Sequence, residues 1–170
     1  MDWIDELDRA WRREYPGTDV STLPPLVRLA RLSLLIEGFQ HEVLEPFGLT
    51  PGAYGVLAML RRSGTPYRLS PGDLTSRLER SSGGMTKILK RLEAGGLVER
   101  TPDPRDGRGS LVKLTRAGHA VQDRVFKAFV AATQKLLAPV PATRLREADR
   151  SLRVLLDAFE SHSQPLEEGR

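Results

Sequence analysis

The sequence predicts a mainly α fold with a small β-wing, and three observations predict it. Apolar residues recur every three or four positions over most of the chain, the spacing of one helical face. Thr50-Pro51 and Ser70-Pro71 place a capping hydroxyl directly before a proline, a local signature of helix starts. Two short β-prone runs, 97–101 and 110–114, stand alone in the helical pattern and suit a single hairpin. A chain of 170 residues has room for one domain with appended helices. Its 39% hydrophobic and 28% charged content is that of a globular protein and not of a disordered one.

The elements follow in order. Residues 3–14 form a short helix with Trp3, Leu7 and Trp11 on one stripe, ended by Tyr15-Pro16-Gly17. Pro24-Pro25 opens a long helix to about Leu44. Its apolar residues, from Leu26 through Val43, cover nearly the whole circumference, so burial on several sides is expected. Thr50-Pro51 starts the next helix, which carries Tyr54, Leu57, Ala58 and Leu60 and breaks at 63–66. Ser70-Pro71-Gly72-Asp73 starts another, ending near Glu79, and Ser81-Ser82 caps a further one that runs to Gly95-Gly96. Two short helices joined this tightly make a helix-turn-helix. The hairpin follows, with 102–109 expected as a long loop at its tip. Thr115 caps a helix through Leu137, Pro139 and Pro141 break the chain, and a last helix spans about 142–159. The polar tail over 163–170 is expected to be flexible.

Charge is concentrated in one stretch. Between positions 80 and 119 nine cations face four anions, an excess of five, whereas the whole chain carries only +4. That is the electrostatic footprint of a polyanion-binding surface, with double-stranded DNA the first suspect. On a helical wheel for 82–94, Met85, Ile88, Leu89 and Leu92 share one face. The opposite face presents Gly83, Lys87 and Lys90, flanked by Thr86 and Arg91. A major groove accepts such a helix, with Lys or Arg on phosphates or guanine edges and Thr on a phosphate or a thymine methyl. Ser81, Ser82 and Gly83 at the helix N-terminus suit a phosphate. Arg105 and Arg108 in the hairpin tip suit a neighbouring minor groove.

Helix, turn, helix and β-hairpin in this order make a winged helix. Residues 46–118 resemble the MarR family of bacterial winged-helix transcriptional regulators. The resemblance rests on Gly48-Leu49-Thr50, on Leu69-Ser70-Pro71-Gly72-Asp73-Leu74 and on Ser81-Ser82-Gly83-Gly84-Met85-Thr86-Lys87. It continues through Arg91-Leu92-Glu93-Ala94-Gly95-Gly96-Leu97-Val98-Glu99-Arg100 and ends with 106–115. It implies a homodimer built by N-terminal helices (1–45) and C-terminal helices (119–162). It also implies a recognition helix (82–94) in the major groove and a wing (101–110) in the minor groove of a palindromic operator. Within the wing motif it implies that Arg108 enters the groove while Asp106 braces it.

The family is mostly ligand-responsive, which implies a small aromatic or anionic effector held between the dimerisation helices and the winged domain. Trp3, Trp11, Arg31, His41, Tyr54 and Arg100 are the candidates for lining such a pocket. The N-terminal segment resembles the urate-responsive branch, in which Arg100 matches a basic site position. Gly55 and Ile88 replace that branch's Asp and Arg, so urate is expected to bind poorly.

Other classes are disfavoured by composition and spacing. The chain has no cysteine, which removes disulfides, thiolate metal sites and thiol nucleophiles. His41, His119 and His162 lie far apart without paired ligand spacing, so no metal and no resident cofactor are expected. No nucleophile elbow, phosphate loop or dinucleotide motif occurs, so an enzyme is not expected. Apolar runs are short and the first residues acidic, which suggests a cytoplasmic protein with no membrane partner. The rival is a winged helix used for protein–protein assembly without specific DNA binding.

Overall fold

The computed structural model describes residues 3–104 and 106–163, with the backbone alone at 106–108 and 163. The chain forms two compact units, Met1–Phe129 and Val130–Arg170.

In the first unit, α1 (Trp3–Glu14) carries Asp5 and Glu6 in its first turn and Arg12 and Arg13 in its last, matching the helix dipole at both ends. It packs against α2 (Leu23–Leu44) through Ile4, which is fully buried. A single 3-10 turn, Glu45–Phe47, ends on Gly48 in the left-handed region (φ 64°), the backbone state that glycine adopts without strain. In α3 (Pro51–Arg62), the Thr50 hydroxyl accepts from the Ala53 amide at 3.2 Å. After strand β1 (Arg68–Leu69), α4 (Pro71–Arg77) opens with a complete capping box between Ser70 and Asp73. In α5 (Ser82–Ala94), the Ser81 hydroxyl accepts from Gly84 N at 3.2 Å.

Strands β2 (Val98–Asp103) and β3 (Asp106–Leu114) form the hairpin, and the antiparallel sheet runs β1-β3-β2. Val98 pairs with Leu114 and Thr101 with Leu111. Helix α6 (Arg116–Leu137) starts where the Thr115 hydroxyl accepts from Gly118 N and donates to Gly96 O, tying the helix to the end of α5. In the second unit α6 ends, and α7 (Ala142–Ser163) follows.

The core of the winged portion is one apolar cluster. Leu57 and Leu60 from α3, Leu74 from α4, Met85, Leu89 and Leu92 from α5, Val112 from β3 and Val125 from α6 are all 0–2% exposed. Burying each of these side chains contributes about 1.5–3 kcal/mol, so α5 is anchored firmly by the face opposite its cations.

Three expectations need correction. The hairpin tip is short, because pairing continues through Asp103 and resumes at Asp106 where a loop over 102–109 was expected. Pro102 and the polar residues read as loop, but β2 is an edge strand, where Pro is admissible. The pair Arg68–Leu69 joins the sheet as a third strand that two residues are too few to announce. The last helix runs to Ser163 and not 159, because polar residues extend a helix without an apolar stripe; the tail expected over 163–170 otherwise lies outside the described residues. Within one chain α2 leaves Leu34 71% and Leu35 59% exposed.

Candidate nucleic-acid interface

The recognition helix divides as its periodicity requires. Met85, Leu89 and Leu92 are buried and Ile88 is half-buried, while Ser81, Ser82, Gly83, Thr86, Lys87, Lys90 and Arg91 are exposed. Lys87 and Lys90 enter no ion pair among the described residues, so their charge is available to a polyanion. The Thr86 hydroxyl donates to Ser82 O at 2.8 Å, which leaves its oxygen free to accept rather than donate. Arg91 lies to one side of this face. It lines a cleft of about 410 Å³ with His41, Glu42 and Glu45 from the end of α2 and its following turn.

In the wing, Lys113 of β3 lies 3.7 Å from its cross-strand partner Glu99. Arg105, and the side chains of Asp106 and Arg108, lie outside the described residues, so the expected minor-groove contact and its brace are not located.

Among the effector candidates, Trp11, His41 and Tyr54 border three different cavities. Trp3 is 47% exposed and lies beneath the Arg31 guanidinium, 5.7 Å from ring centroid to Cζ. Trp11 packs on Tyr15 at 5.4 Å, and His41 lines the cleft beside Arg91. Tyr54 stacks on Phe129, which meets Phe39 edge-on, linking α3, α6 and α2. Tyr54 also borders a cavity of about 300 Å³ with Arg62 and Gln122. Gln122 is buried, and its Oε1 has no hydrogen-bond partner among the described residues. Burial raises the Tyr54 phenol above its usual pKa, against a hydrogen bond from Gln122 and the charge of Arg62.

Arg100 borders a further cleft of about 400 Å³ with Thr75, Ser82 and Thr86. Its Nε donates to Glu93 Oε1 at 2.6 Å and its Nη1 to Ser110 Oγ at 3.2 Å, so it joins the last turn of α5 to both wing strands. These contacts place Arg100 between the recognition helix and the wing.

One cluster escaped sequence reasoning. Arg61 of α3 contacts His119 Nδ1 at 3.2 Å and Asp123 at 3.3 Å, and its guanidinium lies 5.2 Å from the Tyr67 ring. It fastens α3 to the start of α6. Separations of up to 62 positions carry no local signal for such contacts.

Comparison with known proteins decides the lineage. Residues 47–109 match the MarR family. The HTH-type transcriptional regulator PecS of Dickeya dadantii is 32% identical over 159 residues, spanning 94% of this chain and 93% of that protein. The chain belongs to the MarR family. An HTH-type transcriptional repressor of Mycobacterium tuberculosis is 30% identical over 127 residues, spanning 75% of this chain and 89% of its own. Among solved MarR structures, a mutant MarR from Escherichia coli complexed with operator DNA superposes with a TM-score of 0.69. It is 29% identical and covers 82% of this chain and 99% of its own. Membership in the MarR family, with this winged helix-turn-helix, makes the chain a DNA-binding transcriptional regulator. No single helix among the described residues is long and apolar enough to cross a membrane.

Proposed function

We propose that the protein is a homodimeric repressor that binds a palindromic operator in the cytoplasm and is released by a small aromatic or anionic effector. The observation that carries this reading is the two-sided α5: Lys87 and Lys90 exposed and without an ion pair among the described residues, opposite the buried Met85, Leu89 and Leu92. The lysines, with the N-terminal Ser81, Ser82 and Gly83, meet the major groove, and the β2–β3 tip with Arg105 and Arg108 meets the minor groove.

Dimerisation is supported by apolar surface left bare in each unit. Leu34, Leu35 and Ile36 of α2 are exposed, and so are Leu152, Val154, Leu156 and Phe159 of α7. Apolar side chains exposed in such number mark an interface, and a second copy would cover them while matching a two-fold operator.

An effector acts by favouring a dimer whose recognition helices are wrongly spaced for the operator. Trp11, Arg31, His41, Tyr54 and Arg100 are the residues through which it is sensed, at separate places in one chain. Urate is a poor fit. Gly55 faces Leu78 and Ile88 faces Gly52, so neither position offers an anion a polar partner. Micromolar urate binding by calorimetry would overturn that exclusion.

The test is operator selection from random DNA, followed by anisotropy titration across salt. Specific binding predicts a preferred palindrome and a steep negative salt slope. Equal binding to every duplex would leave a nonspecific DNA-coating protein instead.

A further inference from the structure

Arg100 touches three elements at once. Its Nε meets Glu93 in the last turn of α5, it belongs to β2, and its Nη1 meets Ser110 on β3. Arg100 pairs in register with Val112 and Ser110 with Pro102, so Ser110 is the diagonal cross-strand neighbour on the same face. The planar guanidinium thus has two different edges engaged, which fixes its orientation as a single contact does not.

Between α5 and β2 the backbone passes through Gly95 and Gly96, the second at φ 65°. Glycines resist bending less than any other residue, so the angle between helix and wing depends on the contacts that span them.

The charge balance makes the same point. Glu93 is an anion on the most cationic part of the chain, and an unpaired carboxylate there would repel phosphates. Its pairing with Arg100 cancels one cation as well, so the couple adds nothing to general attraction for DNA. The two side chains are 41% and 30% exposed, so the bridge contributes little to folding stability either. A geometric role is what remains.

We infer that Arg100, held by Glu93 and Ser110, is a positioning residue that sets the recognition helix and the wing at the spacing needed to meet adjacent grooves together. The inference rests on the reading of α5 and wing as joint DNA contacts.

The test compares wild type, Glu93→Gln, Arg100→Gln and the swap Glu93→Arg/Arg100→Glu. The probes are a duplex selected by the wild-type protein and a scrambled duplex of equal composition. Both single variants are expected to lower the ratio of specific to scrambled affinity about two- to fivefold per half-site, the range for an exposed ion pair. Glu93→Gln is expected to bind the scrambled duplex more tightly, because it removes an anion. The swap restores the ratio at least in part, and thermal midpoints stay close to wild type throughout.

A phosphate-contact role for Arg100 makes the opposite forecast. Glu93→Gln would then leave the ratio unchanged or raise it, and the swap would be as poor as Arg100→Gln. Either result overturns the inference. A variant with a collapsed thermal midpoint is replaced by Ser110→Ala, which removes one arm of the bridge and must lower the ratio as well. Wild-type protein with no preference for any duplex would instead sink the reading of the interface, a distinct outcome.

Discussion

Gly118 stands so close to the carbonyl oxygen of Leu97 that no side chain fits between them. A Cβ added there would overlap that oxygen and would also lie 3.1 Å from Leu114 Cδ2. The contact joins the first turn of α6 to the residue leading into β2, where Thr115 N also donates to Leu97 O. Gly118→Ala would ordinarily favour a helix by about 1 kcal/mol. Here the neighbour is backbone and cannot swing aside, so overpacking wins, with an expected net loss of about 1–3 kcal/mol. Urea unfolding measures it, and an unchanged midpoint would show that α6 shifts freely.

Lys87 and Lys90 project from α5 without ionic partners among the described residues, so each is expected to displace counterions from DNA. In a dimer every substitution acts twice. Lys87→Ala or Lys90→Ala should flatten the plot of log affinity against log salt by about two units. Lys135→Ala, at an exposed position of α6 outside the winged portion of the sequence, serves as the control and should leave the slope alone. Titration at several salt concentrations decides the point, and equal slopes for all three would place these lysines off the interface.

What was legible in the sequence was what is encoded locally. Thr50, Ser70 and Ser81 cap their helices through contacts three residues away, so each helix start could be read directly. The period of α5 separates Met85, Leu89 and Leu92 from Lys87 and Lys90 because a helix turns 100° per residue. Contacts that cross the chain were not legible. Arg68 pairs with Lys113 and Arg61 reaches His119, and no periodicity connects such positions. The pairing of Arg100 with Glu93, seven residues earlier across a two-glycine turn, is of the same kind. The all-round apolar α2 announced a need for burial without saying which molecule supplies it.

That need gives a further expectation. Leu34 on α2 and Val154 on α7 are 71% and 68% exposed in one chain. In a solitary protomer, Asp at either position would change stability by less than about 0.5 kcal/mol, as surface substitutions do. In a dimer that covers them, each Asp is buried twice. Leu34→Asp and Val154→Asp are expected to halve the sedimenting mass at micromolar concentration and to abolish operator binding. Retention of the wild-type mass would show that these helices face solvent.

The Tyr54 phenol gives a pH dependence whose sign can be worked out. Burial holds its pKa above the ordinary value, outweighing the Gln122 hydrogen bond and the Arg62 charge. A group with a raised folded pKa contributes stability fully present below its unfolded value, about 10, and lost as pH rises through the folded value. Wild-type stability should therefore fall on the alkaline side above about pH 10 through this group. Tyr54→Phe keeps the ring that stacks on Phe129 and removes the proton. It also removes a partner of Gln122, which offsets the two curves by a constant amount at neutral pH. Urea unfolding from neutral to strongly alkaline pH should show that offset shrinking as the wild-type phenol is forced to ionise. An offset that stays constant over the whole range would mean that burial of Tyr54 places no penalty on its phenolate.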